Sequence, residues 1–396
     1  ANPNASLRRS EKLLSIKRVL RNFARMLLWI AQKGKRMDRD RNLQRVSERA
    51  EPWDIVIIGG GATGAGCALD AASRGLSVLL LEQHDFGKGT SSRSTKLIHG
   101  GVRYLRQGNI SLVREALRER AILLKNAPHV IHKMEFVIPC YSTWEKLYYG
   151  FGMKVYDILA GQHGIGRSRM LNRGEVLDQL SYIDQKKLRG GVLYYDGQFD
   201  DTRLLIDILR TAESHSAVVL NYTRVTSITK NEVGAITGVE FEDTESKTGH
   251  SVSTRTVINA TGAFCSEIQK MSDPDTKPAV TYSQGVHLVV ERRFLPGNQA
   301  LLIPKTSDGR VLFCIPWNDR VLLGTTDTPV ENPEIEPRAL EREIDFILDT
   351  ASEYLSAKPT RDDILSVFAG IRPLVKTGSS GATSSPSRGH HLFIAM

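Results

Sequence analysis

Three glycines in the first quarter of the sequence have the spacing of a phosphate-binding turn. Gly59, Gly61 and Gly64 fit the pattern G-x-G-x-x-G directly after the apolar run Ile55–Ile58. The first glycine permits a tight turn, the second lets a pyrophosphate approach the backbone, and the third lets a helix pack on the strand. Eighteen residues further on, a second apolar run ends in Glu82, whose carboxylate is placed to accept hydrogen bonds from an adenosine ribose. These parts together predict a dinucleotide site rather than a simple connecting turn.

The segment at residues 86–106 bears on which dinucleotide is bound. A nicotinamide-binding domain normally continues with another strand and helix, whereas this segment is a polar loop rich in Ser, Thr and Gly. Such a loop can bring hydroxyl and backbone N–H groups to a pyrophosphate and to the edge of a flavin ring. Composition alone explains it equally well as a solvated loop before an ordinary helix, from Asn109 to about Asn126.

The hydrophobic pattern predicts the elements that would position these groups. The predicted helices run from Gly64 to about Arg74, over 199–215 and over 341–355, and residues 110–190 are expected to be mainly helical. The predicted strands are 55–58, 77–81, 218–222, 226–229, 238–242 and 256–262. From Gly285 onward, alternating residues predict an antiparallel meander with strands at 287–290, 301–304, 311–316 and 321–325.

The positive charge is confined to one end of the sequence. The chain of 396 residues has a net charge of +9, and residues 1–36 carry ten Lys or Arg against one acidic residue, Glu11. The remainder balances 43 basic against 43 acidic residues, so nucleic-acid binding is not expected. Residues 13–30 have the pattern of a basic amphipathic helix, which suits an anionic membrane surface or a transit peptide. Equally, Met37 could be the true start, with the leader as upstream sequence.

Six sequence blocks, among them the glycine pattern, occur together between about Asn42 and about Arg388. They are Gly59-Gly-Gly-Ala-Thr-Gly-Ala-Gly66, Thr90-Ser-Ser-Arg-Ser-Thr-Lys-Leu-Ile-His-Gly-Gly-Val-Arg-Tyr-Leu105, Tyr195-Asp-Gly-Gln-Phe-Asp-Asp-Thr-Arg-Leu204, Asn259-Ala-Thr-Gly262, Ile315-Pro-Trp317 followed by Gly324-Thr-Thr-Asp327, and Ile371-Arg-Pro-Leu374. In these blocks the chain resembles the FAD-dependent, membrane-associated and quinone-linked glycerol-3-phosphate dehydrogenases. The stretch from Lys96 to Leu105 is specific to that family, whereas the glycine pattern is shared with every FAD-binding relative.

The resemblance implies an α/β fold, with a doubly wound, Rossmann-like FAD-binding domain and an inserted antiparallel-sheet substrate domain. We expect the FAD-binding domain at residues 51–130, 190–270 and 360–396 and the substrate-binding domain at 131–189 and 271–359, after a basic leader and arm at 1–50. Family members continue with a glycine-rich segment that returns to the flavin and with a helical C-terminal domain, neither of which is expected here. The stretch Ser387-Arg-Gly-His390 also departs from the family pattern.

The reaction implied by the resemblance is oxidation of sn-glycerol 3-phosphate to dihydroxyacetone phosphate, by hydride transfer to FAD. His99 and Arg103 lie four residues apart, and a turn through Gly100 and Gly101 would let both point into one pocket. His99 is the expected base, because an imidazole titrates near neutral pH. Arg103 and Arg372 are the expected substrate clamps, because a guanidinium binds phosphate oxygens bidentately. The alternatives are a structural histidine at position 99 and an Arg372 that is paired to a carboxylate.

The expected site residues form two sets, and no metal site is expected. The cofactor-binding set is Gly59, Gly61, Ala62, Thr63, Gly64, Glu82, Gln83, Thr90, Ser91, Ser92, Lys96, Leu97, Val225, Thr261 and Gly262. The substrate-binding set is Arg103, Tyr104, His287, Thr326 and Arg372. A packed sheet position explains His287 as well, and a capped turn explains Thr326 with its neighbours Thr325 and Asp327.

The expected partners are sn-glycerol 3-phosphate, the quinone pool as electron acceptor and a membrane surface, with a possible homodimer. The expected location is the cytoplasm, at the face of the inner (cytoplasmic) membrane, and the alternative is the mitochondrial inner membrane. Two other functions stay open. One is a related FAD-dependent oxidase that acts on an amine, an amino acid or glycerol phosphate with oxygen. The other is a truncated, non-catalytic product that binds FAD.

Overall fold

The computed structural model describes residues 37–106, 108–277, 280–307 and 309–375, together with residues 392 and 394. The basic helix expected at 13–30 and the stretch Ser387–His390 lie outside these residues. The strands are β1 Ile55–Ile58, β2 Val78–Leu81, β3 Leu97–Ile98, β4 Ile131–Cys140, β5 Arg169–Asn172, β6 Gly190–Phe199, β7 Val218–Leu220, β8 Thr223–Lys230, β9 Ile236–Asp243, β10 Gly249–Ser253, β11 Val257–Asn259, β12 Val280–Glu291, β13 Ala300–Ile303, β14 Leu312–Trp317, β15 Arg320–Gly324, β16 Thr328–Val330 and β17 Ile364–Val375. The helices are α1 Arg39–Ser47, α2 Ala62–Ser73, α3 Val102–Arg106, α4 Ile110–Asn126, α5 Thr143–Ala160, α6 Arg173–Gln179, α7 Asp201–Ser214, α8 Cys265–Ser272 and α9 Glu341–Tyr354.

A small parallel sheet with the strand order β11-β1-β2-β7 forms the first layer of the molecule. Its central strands are apolar runs that are buried on both faces, as parallel strands covered by helices require. The helix α2 packs closely on this sheet because the residues it buries are small, among them Ala65, Ala68, Ala71 and Ala72. This arrangement confirms the predicted Rossmann-like unit.

The antiparallel ribbon β10-β9-β8 forms a separate three-stranded sheet. Apolar residues on its inner face, such as Val239 and Phe241, join Val56 and Leu79 of the parallel sheet in one buried cluster. The ribbon therefore closes one side of the dinucleotide-binding unit. Its strands β8 and β9 contain the short strands that the sequence predicted at 226–229 and 238–242.

A ten-stranded sheet forms the rest of the molecule. Its path runs β16-β12-β15-β14-β13-β4-β6-β3, with β17 added along β12 and β5 along β6. The strand β17 pairs antiparallel with β12 from Val280 opposite Val375 to Val290 opposite Ile364. The helix α9 packs on this sheet through Ile344, Ile347 and Leu348. The predicted meander is thus confirmed, as part of a larger sheet.

Residues 110–190 are mainly helical, as the sequence predicted, through the helices α4, α5 and α6. They also contain the strand β4, which the sequence did not predict and which pairs along its whole length with β6. The run from Phe136 to Cys140 is buried throughout, which favours a central strand. The strands β6 and β17, which fall in the ranges expected for the FAD-binding domain, hydrogen-bond into the large sheet. The division of the chain into the two domains stays a prediction. Among the helices that the structure describes, none has the length and apolar composition needed to cross a membrane.

Candidate functional site

A cleft of about 380 Å³ lies where β1 and β2 of the parallel sheet end. Ligands of open α/β sheets bind at this carboxyl edge of the strands. The structure brings most of the expected cofactor-binding residues together in this cleft, and they are Gly59, Gly61, Ala62, Thr63, Glu82, Gln83, Thr90, Ser91, Val225, Thr261 and Gly262. They come from five separate stretches of the chain, so the cleft forms only when the sheet does.

The glycines shape the cleft through close backbone contacts. Gly59 has a φ of +110°, and a Cβ at this position would lie 2.6 Å from the carbonyl oxygen of Ala260. A Cβ on Gly64 would overlap the carbonyl oxygen of Gly59, so Gly64 allows α2 to pack on β1, although it does not line the cleft. The N-terminus of α2 follows Gly61, and its positive end faces the cleft, where it favours an anion.

Polar groups around the turn are already ordered. The Glu82 carboxylate accepts the N–H of Gly60 at 2.7 Å and that of His84 at 2.8 Å. The hydroxyl of Ser91 accepts the N–H of Ala62 at 2.9 Å, at the start of α2. The cleft is thus lined by main-chain donors, hydroxyl groups and the carboxylates of Glu82 and Glu267, and the donors and hydroxyl groups suit phosphates and a ribose.

Besides Gly64, three expected cofactor-binding residues lie outside this cleft, namely Ser92, Lys96 and Leu97. Lys96 forms a nearly buried ion pair with Asp201, in which Nζ lies 2.7 Å from both carboxylate oxygens, and it also donates to the carbonyl of Ser92. Leu97 is buried in β3, where it pairs with Gln198. Ser92 and Lys96 therefore shape the loop that carries Thr90 and Ser91, without lining the cleft themselves.

A second cavity of about 490 Å³ lies between the large sheet and the helices α3 and α5. Its apolar walls include Leu302, Phe313, Phe151 and Met153. Its polar lining residues are Thr95, His99, Asp196, Arg310, Thr325, Thr326, Asp327 and Arg372. The expected Tyr104 also lines the cavity. Arg103 lies on α3, but its side chain is outside the described part of the structure.

Arg372 is fixed by the corner between β15 and β16. Its Nη1 donates to the carbonyl of Thr326 and its Nη2 to the hydroxyl of Thr325, both at 3.0 Å. Its Nη1 also lies 3.6 Å from a carboxylate oxygen of Asp327. The guanidinium lies directly over Gly285 of β12, where a Cβ would overlap it. Arg372 is thus anchored in the cavity wall by neutral oxygens and by one carboxylate at longer range.

The turn that carries His99 rests on a buried polar network. Asp196 accepts from Arg120 at 2.5 Å and from the hydroxyl of Tyr156 at 2.9 Å. The N–H of Gly100 donates to that hydroxyl at 2.8 Å. Burial and the charge of Asp196 raise the pKa of Tyr156 well above its usual value, so the phenol keeps its proton. The network holds the backbone next to His99, as the predicted turn through Gly100 requires.

The imidazole of His99 is also engaged locally. Its Nδ1 accepts the N–H of Gly101 at 3.0 Å. A neutral ring in this arrangement therefore holds its proton on Nε2.

His287 lies outside the set of residues that line the cavity. It is 2% exposed on β12, stacked on Phe368, and its Nε2 is hydrogen-bonded to the hydroxyl of Thr95 at 2.9 Å. Burial lowers its pKa to about 3, with further contributions from the positive charges of Arg372 and Lys96. The ring is therefore neutral at physiological pH. Its placement is that of a packed sheet residue, with Thr95 between it and the cavity.

Sequence reasoning missed Arg310 and Asp196, which also line the cavity. Asp196 belongs to the block from Tyr195 to Leu204, but no spacing rule links it to Gly100, nearly a hundred residues away. Arg310 precedes the strand β14 and had no motif of its own. Asp196 reaches the cavity on the strand β6 and Arg310 from the connection between β13 and β14, placements that the sequence pattern does not reveal.

The strand β17 connects the two sites. Arg372 lines the cavity, and the next residue, Pro373, lines the dinucleotide cleft. The carbonyl of Ile371 accepts the hydroxyl of Thr90, from the loop of the cleft, at 2.5 Å. The cleft and the cavity are therefore neighbours that share one strand.

Comparison with known proteins decides the family. The family model described as FAD dependent oxidoreductase matches residues 54–396. The chain belongs to this FAD-dependent oxidoreductase family. A mitochondrial glycerol-3-phosphate dehydrogenase of Arabidopsis thaliana is 43% identical over 365 residues, which are 87% of this chain and 56% of that protein. The mitochondrial glycerol-3-phosphate dehydrogenase of Rattus norvegicus is 43% identical over 364 residues, 88% of this chain and 49% of that protein.

A solved structure agrees with the fold of this FAD-dependent oxidoreductase. The glycerol-3-phosphate dehydrogenase of Bacillus halodurans, complexed with FAD, matches with a TM-score of 0.70 and 34% identity. The match covers 86% of this chain and 60% of that one. The chain thus spans about half the length of the curated relatives that it matches.

The cofactor of the family is FAD, and the cleft fits it. Gly59 and Gly61 line the cleft without side chains, and a Cβ on Gly59 would clash with the carbonyl of Ala260, so the tight turn requires a glycine there. The N-terminus of α2 offers its N–H groups, and Glu82 stands at the end of β2 where a ribose would lie. These residues would hold the adenosine diphosphate part of FAD.

Proposed function

We propose that the protein oxidises sn-glycerol 3-phosphate to dihydroxyacetone phosphate. One observation carries the proposal: the strand β17 presents Arg372 to the second cavity and Pro373 to the FAD cleft next to it. The three relatives described above are named glycerol-3-phosphate dehydrogenases, which supports this substrate. FAD, when bound, supplies the acceptor for the two electrons that leave the substrate as a hydride.

Arginine side chains are proposed to bind the phosphate. Arg372 and Arg310 both line the cavity, and Arg103 lies on α3 beside it. A guanidinium forms paired hydrogen bonds with phosphate oxygens, and its charge favours the dianion. Because Arg372 is held by Thr325 and Thr326, little side-chain freedom would be lost when the phosphate binds.

His99 is proposed to act on the C2 hydroxyl of the substrate. Oxidation at C2 removes a hydride from carbon and a proton from this hydroxyl, and an imidazole can accept the proton. In the described conformation, Nδ1 accepts the N–H of Gly101. Proton transfer to Nε2 therefore requires the ring to exchange tautomers and to release Gly101.

Anaerobic titration of the FAD-loaded protein tests this function. We expect sn-glycerol 3-phosphate to bleach the flavin absorbance near ~450 nm. His99→Ala should slow the bleaching, and Arg372→Ala should raise the substrate concentration that is needed, with FAD retained in both variants. A yellow wild-type protein that does not bleach would refute the proposal. Unchanged kinetics in both variants would refute the residue roles alone.

A quinone is the proposed electron acceptor, at a membrane surface. The helix α5 supports this, because Trp144, Phe151 and Ile158 on it are 74%, 72% and 77% exposed. Tyr148 and Val155 of the same helix line the cavity, so its apolar face adjoins the site. The names of the curated relatives favour mitochondria over the cytoplasmic membrane. The homodimer stays a prediction.

Vesicle binding and acceptor assays test this extension. The wild-type protein should co-sediment with anionic vesicles. The double variant Trp144→Asp, Ile158→Asp should no longer co-sediment with them, while it retains FAD. Glycerol 3-phosphate should then reduce a soluble quinone analogue. Hydrogen peroxide formed at the same rate as product, without quinone reduction, would indicate an oxidase instead.

A further inference from the structure

Glu343 is a buried carboxylate behind the wall of the cavity that holds Arg372. It lies in the first turn of α9, is 2% exposed and does not itself line the cavity. A buried charge is costly unless hydrogen bonds replace the lost water. The hydrogen-bond donors around Glu343 therefore indicate which part of the structure the carboxylate stabilises.

Four donors surround the Glu343 carboxylate, and none of them is charged. Oε1 accepts the hydroxyls of Thr326 at 2.9 Å and Thr328 at 2.6 Å. Oε2 accepts the amide of Gln284 at 2.7 Å and the N–H of Leu340 at 2.9 Å. An ionised carboxylate can accept all four bonds, whereas a neutral amide cannot.

Only one of these four bonds belongs to the helix. The bond from the N–H of Leu340 is a common helix-capping interaction, in which a Glu at the third helical position accepts the backbone N–H of the N-cap residue. The other three bonds run to β12 and to the corner between β15 and β16, which helix capping does not require. Helix stability by itself therefore does not account for the position of this side chain.

The contacts continue from Glu343 to Arg372. The hydroxyl of Thr326 donates to Glu343 and accepts the N–H of Val286 at 3.0 Å, so its orientation is fixed at both ends. The carbonyl of the same Thr326 accepts Nη1 of Arg372. Arg372 thus takes its place in the cavity from a corner that Glu343 holds.

We propose that Glu343 is a positioning residue for substrate binding, which acts through Thr326 on Arg372. This inference rests on the proposed function, since it assigns Arg372 to the substrate phosphate. Loss of the carboxylate releases the Thr325–Thr326 corner and lets the guanidinium leave its place. Substrate affinity then falls, whereas FAD binding in the separate cleft does not change.

The test is a titration of the FAD-loaded protein with glycerol 3-phosphate and with its product dihydroxyacetone phosphate, followed by the change in flavin absorbance. Glu343→Gln preserves the shape and removes two of the accepting lone pairs, so we expect Kd and KM to rise by about tenfold or more, with a smaller change in kcat. In an Arg372→Ala background the same substitution should have no further effect, because the route to the substrate is already broken.

The matched control is Glu175→Gln. Glu175 occupies the same third position of α6, with the same bond back to the N–H of Asn172, but it lies at the surface. This variant should lower the melting temperature slightly and leave Kd unchanged. If Glu343→Gln does not fold, Thr328→Val removes one hydroxyl from the same carboxylate oxygen and should raise Kd in the same direction.

The outcomes separate this inference from the proposed function. A wild-type protein that does not respond to glycerol 3-phosphate refutes the function. A wild-type protein that responds, together with a Glu343→Gln variant of equal affinity, refutes the inference alone. An equal loss of affinity in the presence and absence of Arg372 refutes the route through the guanidinium.

Discussion

The two sites of this protein are built from different groups: main-chain atoms shape one, and side chains shape the other. The FAD cleft is shaped by main-chain groups, namely the turn at Gly59 to Gly61, the N-terminus of α2 and the ends of parallel strands. The cavity beside it is shaped by side chains that other side chains hold, such as Arg372 by Thr325 and the His99 turn by Asp196. The two sites are therefore vulnerable in different ways. The cleft is disrupted by a Cβ at Gly59 or Gly64 that would clash with main-chain atoms, whereas the cavity is disrupted when a single side chain is lost or displaced.

The largest loss of stability is expected from a substitution at Gly64, which tests directly whether main-chain packing shapes the FAD cleft. An added Cβ in Gly64→Ala would overlap the carbonyl of Gly59, so α2 must move off β1. We expect a loss of stability of about 3 kcal/mol or more, together with loss of FAD. The measurement is flavin content per chain and the thermal unfolding midpoint.

Gly66→Ala on the same helix is the control, because nothing lies within 4 Å of the added Cβ. It should retain FAD, and its stability should equal or exceed that of the wild type. Equal behaviour of the two variants would show that close backbone packing does not decide FAD binding.

A smaller effect on stability is expected from the buried His287 of the large sheet, and it depends on pH. The pKa of His287 is lowered to about 3, below its ordinary value of 6.5. As the pH falls between these values, the unfolded chain takes up a proton that the folded chain does not, so the free energy of unfolding decreases. At pH 5 this loss is about 2 kcal/mol.

His287→Gln should flatten this dependence, because glutamine does not titrate. Denaturant unfolding at several pH values between 7 and 4 measures it, with the exposed His215→Gln as control. If the free energy of unfolding depends on pH in the same way for His287→Gln and the wild type, the imidazole has the same pKa in the folded and the unfolded protein.

The smallest effect is expected at Gly285, a glycine that serves a side chain rather than the backbone. A Cβ at this position would overlap the guanidinium of Arg372, while the backbone of β12 stays undisturbed. Gly285→Ala should raise the Kd for glycerol 3-phosphate by about tenfold with FAD retained. Gly249→Ala, on a strand with open space around it, should leave Kd unchanged. A Gly285→Ala variant with normal affinity would show that Arg372 does not bind the substrate.

The same contrast explains what the sequence could predict. The dinucleotide cleft was predictable because Gly59, Gly61, Gly64 and Glu82 lie within one strand-helix-strand unit, where spacing determines position. The cavity was predictable only in part. His99 and Arg372 belong to recognisable blocks. Asp196, by contrast, lies on the strand β6 and meets Gly100 only in the folded sheet, and Arg310 lies in the connection before β14. The strand β4 was missed because a short buried strand and a buried helix have similar apolar patterns.

The strand β17 has a consequence for how such a protein can change over generations. Two consecutive residues of this strand serve different sites, since Arg372 lines the cavity and Pro373 lines the FAD cleft. Inserting or deleting one residue upstream in this strand would exchange the two faces, and both sites would lose their groups in a single event. We therefore expect surviving lineages to accept substitutions along β17 but no change in its length, so that the specificity for substrate and the grip on the cofactor are inherited together.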